Sequence, residues 1–315
     1  MRKFTIFIIS SVLILTILAS LAIKTQEKTE LMMGTFVKIT IRGPFWFDFK
    51  RAQDSAFSAM RSVDIQANMY NEESELSKVN ARAFSQPVDI SDDLYLLIKD
   101  SIDLHRRTGG LFDITVAPLV KLWNRYKEER LPVVKSEVIS ALSLVGSEKI
   151  VLYKDEKRVR FIKEGLSLDL SAVAKGYAVD KGAEALKKRG VKSAIVNAGG
   201  DIYCIGRRNF FQPWRIGVIS PKEDNKILKV LNLSDKAVAT SGGYEQRFNL
   251  DGKNYSHLIN PKTGYPVESV FTSVSVVAPT CILADGIATA VSVGGRELAE
   301  KLRLIYDDIY ITIEE

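Results

Sequence analysis

The chain has 315 residues and a formal net charge of +6, from 44 Lys and Arg against 38 Asp and Glu, with 46% hydrophobic and 26% charged residues. This is ordinary globular composition, long enough for one large domain or two joined halves, and it argues against extensive disorder. Acids and bases are interspersed, which speaks against a nucleic-acid footprint, and two Cys and two His leave little for a zinc or copper site.

The first 24 residues, MRKFTIFIISSVLILTILASLAIK, put two basic residues before an uncharged run from Phe4 to Ile23. That is the layout of a signal peptide, and Ser20-Leu21-Ala22 offers a small-x-small cleavage site. A run of about 20 residues also suits an uncleaved anchor. Cleavage and retention both stay open, and both place a domain of residues 25–315 outside the cytoplasm. No Cys follows the segment, so a lipoprotein attachment point is missing. Cys204 and Cys281 could pair in that compartment, but two buried free thiols is the preferred reading.

The alternation in MMGTFVKITI predicts a strand, followed by a turn at Gly43-Pro44. Ala52, Ala56, Phe57, Met60 and Val63 have helical spacing over residues 50–67. Ser91 is placed to cap a helix with the stripe Leu94, Leu97, Ile98 and Ile102, stopped by Gly109-Gly110. His105 extends that stripe and reads as a structural residue at the core edge. Residues 112–130 hold Pro118 and an amphipathic run. KIVLYKD, RVRFIKEG and LSLDL read as strands, and a helix follows in SAVAKGYAVDKGAEALKKRG. VKSAIVNAGGDIYCIG reads as strand–turn–strand, and WRIGVIS as a strand. Asp251-Gly252 predicts a two-residue hairpin between YEQRFNL and KNYSHLI. SVSVVAP, CILADGIATAVSVGG and DDIYITIEE predict strand, helix and strand. Without a regular βαβ alternation, the fold class is α+β or mixed α/β.

In DLSAVAKGYAVD, alternating Leu166, Leu168 and Leu170 place Asp169 on the opposite face. Ser171 is then expected to cap a helix whose free N–H groups make an anion site, with Lys175 one turn inside. Gly176 should cost about 1 kcal/mol in a helix, so it implies close approach by a ligand or a neighbouring backbone. The bland alternative is a capped helix with a surface Lys–Asp pair. Asp285 and Thr289, four residues apart, share a helical face and suit a hard cation with oxygen ligands; a Thr bonded back to its own helix is the competing reading. His257, expected in a strand before a Pro/Gly turn, suits a general base, with a structural His as the default. VNAGGD is wrongly spaced for a dinucleotide fingerprint, and there is no Walker lysine motif.

MGTFVKITI, YNEESELSKVN, GLFDITVAPLVKLW, DLSAVAKGYAVD, VNAGGDI, WRIGVISP, VATSGGYEQRF, SHLINPKTGYPV and ADGIATAV stand in one order over residues 31–312. In that order the chain resembles the ApbE family of FAD:protein FMN transferases. The resemblance implies mostly antiparallel, T-fold-like sheets with packed helices. It also implies a Mg²⁺-dependent extracytoplasmic reaction that cleaves FAD, passes FMN to a Thr or Ser of an acceptor flavoprotein, and releases AMP. The metal ligands it implies are Ala172, through its carbonyl, Asp285 and Thr289. Its flavin and adenine contacts fall on Met33, Tyr70, Leu111, Phe112, Asp113, Asp169, Lys175 and Leu258, and its general base on His257. It further implies that Gly176 and Gly286 keep helix ends bare beside a bulky ligand. The chain has no Ser/Thr-Gly-Ala-Thr segment, so the implied acceptor is another protein, a subunit of a membrane redox complex. An FAD pyrophosphatase and a non-enzymatic flavin carrier are the competing readings, and the joint presence of Asp285, Thr289 and His257 favours an enzyme.

Overall fold

A computed structural model describes residues 23–220, 226–242, 247–250, 253–267 and 272–314. The expected export segment therefore lies almost wholly outside the described residues. No helix among the described residues is long and apolar enough to cross a membrane.

Fourteen strands and seven helices are described. The strands are β1 (Ile23–Met32), β2 (Thr35–Pro44), β3 (Val88–Asp89), β4 (Ile150–Tyr153), β5 (Arg158–Phe161), β6 (Ser193–Ala198), β7 (Asp201–Gly206), β8 (Trp214–Ile219), β9 (Ile227–Leu233), β10 (Lys236–Gly242), β11 (Arg247–Leu250), β12 (Lys253–Ser256), β13 (Ser273–Ala278) and β14 (Tyr310–Glu314). The helices are α1 (Phe49–Ala67), α2 (Glu75–Arg82), α3 (Asp92–Arg107), α4 (Ala117–Glu129), α5 (Lys135–Leu142), α6 (Ser171–Lys188) and α7 (Cys281–Ile305). The main sheet has seven strands in the order β1-β2-β6-β7-β10-β13-β14. Every pairing in it is antiparallel. The class is α+β, as the mixed pattern predicts.

Strand period two sorts side chains onto the two faces of this sheet. In β7, Tyr203 and Ile205 join the main core under α1, α6 and α7, while Ile202 and Cys204 face the other way. That second face is closed by the β8–β9 ribbon, through Trp214, Leu231 and Leu233. Each such side chain, once removed from water, contributes about 1.5–3 kcal/mol. Cys204, in β7, and Cys281, at the start of α7, are buried free thiols in these two separate cores.

Several local expectations hold. Ser91 Oγ accepts the Leu94 N–H at 3.2 Å and caps α3. Gly199 and Gly200, with φ of 60° and 103°, turn β6 into β7. Leu250 pairs with Lys253, the register of a two-residue hairpin, although Asp251 and Gly252 themselves lie outside the described residues.

Others are corrected. LSLDL is not a strand: residues 166–170 are buried but pair with no neighbouring strand, because Asn80 takes the backbone of Leu168 and the Asp169 N–H goes to the Ile114 carbonyl. Ser171 does not cap α6; Asp169 Oδ1 accepts the Ser171 N–H at 2.8 Å, and Leu170 is the cap residue. His257 lies one residue beyond β12 rather than in it. The last helix does not stop at Gly294-Gly295 but kinks at Gly295 (φ 71°) and runs on to Ile305.

Candidate functional site

Beside the sheet end that carries Asp201 and Gly242 lies a cleft of about 440 Å³. Its wall takes Tyr70 from the chain after α1, Leu111 to Asp113 before α4, and Asp169, Ala172 and Lys175 around the start of α6. Ser241 from β10, His257 and Leu258 after β12, and Asp285 and Thr289 from α7 complete it. A second cavity of about 280 Å³ adjoins through Tyr70, Asp169, Ser171 and Lys175, and Met33 lines that one. The structure thus gathers the expected flavin, adenine, metal and general-base residues around two joined cavities.

Met33 and Gly34 form the two-residue turn of the β1–β2 hairpin, both at positive φ (52° and 69°). A non-glycine residue in this region carries strain, and the Met33 N–H is held by Asp64 Oδ2 at 3.2 Å.

The close crossing of α6 and α7 organises the charged centre. An added Cβ at Gly176 would stand 2.6 Å from the Cys281 carbonyl oxygen and 2.9 Å from Asp285 Cβ. At Gly286 it would strike Leu104 and come within 3.1 Å of Val173. Both glycines therefore serve helix packing, which overturns the expectation that they stand bare beside a ligand. The approach brings the Gly176 N–H within 3.1 Å of Asp285 Oδ2. Lys175 Nζ lies 2.6 Å from Asp201 Oδ2.

Asp285 is 5% exposed and Asp201 1% exposed. Burial, then the Asp201 charge, push the Asp285 carboxyl well above the usual carboxylate range, against the pull of Lys175 and the Gly176 N–H. Burial alone would lower the Lys175 ammonium, but Asp285 and Asp201 outweigh it and raise it. Two buried carboxyl groups thus compete for one ammonium, and Asp285, whose ionisation burial and Asp201 oppose, shares the cleft wall with Thr289. Ser241 Oγ stands 3.4 Å from Thr289 Oγ1. Carboxylate, hydroxyls and a main-chain carbonyl with a spare lone pair are donors that a hard divalent cation accepts. Among the described residues no three His, Cys, Asp or Glu converge on one point.

Asp113 is anchored instead of free. Its carboxylate accepts from the Thr115 N–H (2.8 Å) and hydroxyl (2.6 Å), the Ser147 N–H (3.1 Å) and hydroxyl (2.8 Å), and His105 Nδ1 (3.0 Å). Burial would raise this carboxyl, but those donors, His105 first, hold it below the usual range. His105 Nδ1 also approaches the Phe112 carbonyl at 3.1 Å. Both partners are acceptors, so that nitrogen carries a proton, and the Asp113 bond raises the imidazole. His105 thus clamps the loop that forms one cleft wall.

This arrangement belongs to a known group of proteins. Residues 33–307 match the ApbE family. The chain belongs to the ApbE family. A relative from Vibrio cholerae, named FAD:protein FMN transferase, is 35% identical over 269 residues, spanning 84% of this chain and 80% of its own. The crystal structure of the ApbE protein from Thermotoga maritima superposes with a TM-score of 0.82 at 30% identity, covering 92% of this chain and 94% of that one. The flavin transferase ApbE from Vibrio cholerae gives 0.81 at 30%, covering 92% and 93%.

Sequence reasoning within the ApbE-family pattern missed Asp201 and Asp180. Asp201 closes VNAGGD, a stretch that enters the family pattern with no role for its carboxylate, and that role depends on α6 lying over β7. Asp180 accepts the N–H groups of Cys281 (2.7 Å) and Ile282 (2.9 Å), capping α7 from another helix. Neither partner is near in sequence, so no spacing rule could have found either.

Proposed function

We propose that the protein is an FAD:protein FMN transferase acting outside the cytoplasm. The observation that carries the reading is the single cleft wall on which Lys175, Asp285, Thr289 and His257 meet. The names borne by its relatives support the same chemistry. In this reading FAD lies in the joined cavities, with Tyr70 offering an aromatic face and Met33, Leu111, Phe112, Asp113, Asp169 and Leu258 around the flavin and adenine. A Thr or Ser hydroxyl of the acceptor attacks the FMN phosphorus. The new oxygen–phosphorus bond forms, the phosphoanhydride bond breaks, and AMP leaves with the bridging oxygen. His257 takes the hydroxyl proton. Lys175 and the start of α6 face the phosphate charge. Mg²⁺ would be held by Asp285, Thr289 and the Ala172 carbonyl, and when bound it supplies charge neutralisation on the pyrophosphate.

The test mixes the full chain with FAD, Mg²⁺ and an acceptor containing a Ser/Thr-Gly-Ala-Thr segment, and reads the acceptor's intact mass and the free nucleotides. The acceptor is expected to gain one FMN less water, with AMP released. Free FMN and AMP beside an unmodified acceptor would replace the transferase with a pyrophosphatase, and unchanged bound FAD would leave a carrier.

A further inference from the structure

Strand register sorts the loops of the main sheet between its two ends. One end carries Met33, Gly200-Asp201 and Gly242, beside the cleft. At the other, Ile23 pairs with Pro44, Ile41 with Ala194, Ser193 with Gly206, and Cys204 with Lys236. Three features distant in sequence therefore lie together at that second end.

The first is the start of β1 at Ile23, which is also the last residue of the uncharged run that begins at Phe4. The second is Phe45 and Trp46, just after β2, 67% and 70% exposed with their rings edge to face at 5.0 Å. The third is Phe210 and Phe211, after β7, 88% and 81% exposed and edge to face at 5.1 Å. Lone exposed apolar residues need no explanation, but two exposed aromatic pairs at the sheet end where an apolar run stops do. Exposed bases surround them: Lys50 at the start of α1, Lys188 and Arg189 at the end of α6, Lys192 before β6, and Arg207 and Arg208 beside the Phe pair. The exposed acids in these loops are Asp48, Asp235, Asp307 and Asp308, and the last two stand at the far edge beside β14.

We propose that this end of the sheet rests on an anionic lipid bilayer. The apolar run up to Ile23 enters the membrane and the two aromatic pairs sit at headgroup level. The amphipathic Trp46 ring prefers that level, the apolar Phe rings add buried area against the acyl boundary, and exposed Lys and Arg are drawn to anionic headgroups. The occupant is fixed by where the run ends: no linker separates it from β1, so whatever receives residues 4–22 also meets Phe45 and Trp46. β1 then sets a height. Its ten residues, at about 3.3 Å each, hold Met33 and the cleft on the order of 30 Å from the bilayer. A partner would have to present its reacting group at that height. This placement does not depend on which flavin reaction the cleft performs.

The test uses the full chain reconstituted into vesicles of phosphatidylcholine and phosphatidylglycerol, part of it brominated on the acyl chains, and reads tryptophan emission. Trp123 and Trp214 are 3% and 7% exposed, so Trp46 is the residue within reach of the quencher. Bromolipid quenching is expected, its loss in Trp46→Phe, and its weakening in the double variant Phe210→Ser/Phe211→Ser, whose sites bear on no core. Quenching that is absent, or that survives Trp46→Phe unchanged, overturns the proposal. A dimer in detergent that Trp46→Ser separates, with no quenching in vesicles, assigns the face to a second copy of the chain instead.

Discussion

Gly176 sets how closely α6 and α7 cross, and with it the position of Asp285. Alanine gains about 1 kcal/mol of helix propensity there. Its Cβ would nevertheless fall 2.6 Å from a backbone oxygen that belongs to another helix and cannot turn aside. Overpacking of this kind costs about 1–3 kcal/mol, so Gly176→Ala is expected to lower the urea midpoint of unfolding. An unchanged or higher midpoint would show that the two helices part easily. Asp285 itself is a buried carboxyl on the cleft wall, close to a second buried carboxylate, Asp201. Asp285→Asn should reduce turnover roughly 100-fold or more, because it removes stabilisation of charge that develops during transfer. FAD affinity, measured by flavin fluorescence with no divalent cation present, should change far less. An equal loss in both would place Asp285 in ground-state binding.

At the scale of the element, α7 has no cap within its own chain segment, since the Thr280 side chain makes no capping bond. Asp180 supplies it, and burial, outweighing its two N–H donors, pushes that carboxyl from the ordinary 3.8 up to about 7. The native state then holds a proton that the unfolded chain releases at lower pH. Stability is therefore expected to fall as pH rises from about 4 to about 7. Urea titrations of the metal-free protein across that window check this, and Asp180→Asn should flatten the slope. A slope unchanged in the variant would assign it to other groups. The same helix marks what the sequence makes legible. The i, i+4 spacing of Asp285 and Thr289 is a local fact, and it placed both on one face of the cleft. So is the Leu94, Leu97, Ile98 and Ile102 stripe of α3, which is buried as its period requires. β1 is not legible in IKTQEKTELM because it is an edge strand with most residues exposed, so its pattern lacks an apolar face. β10 leaves little trace because KAVATSG is built mostly of small residues, and its burial comes from α7 and β13 packing over it. The Asp201, Asp180 and His105 contacts depend on which elements cross, and tertiary placement leaves no local trace.

For the whole molecule, the cleft joins segments that the chain keeps far apart. Tyr70 follows α1, Asp113 precedes α4, Lys175 opens α6, His257 follows β12 and Thr289 lies on α7. A ligand that spans them binds only the assembled protein, so its binding free energy adds to that of folding. At a hundredfold excess over its dissociation constant this amounts to about 2.7 kcal/mol. For a domain of this size each kcal/mol moves the thermal midpoint by about 1.5–2 °C. FAD in such excess is thus expected to raise the midpoint by about 4–5 °C. A chelator should be present, so that the flavin stays intact during the scan. Tyr70 is 72% exposed and carries none of the core. Tyr70→Ala should therefore leave the unliganded midpoint within about 1 °C, as surface changes do, yet shift the FAD concentration needed for a given rise upward. If FAD raises the midpoint of both proteins along the same concentration curve, the flavin does not lie against Tyr70. If it raises neither, FAD binding needs the cation first, and repeating the scan with Mg²⁺ on Asp285→Asn separates metal-assisted binding from no binding at all.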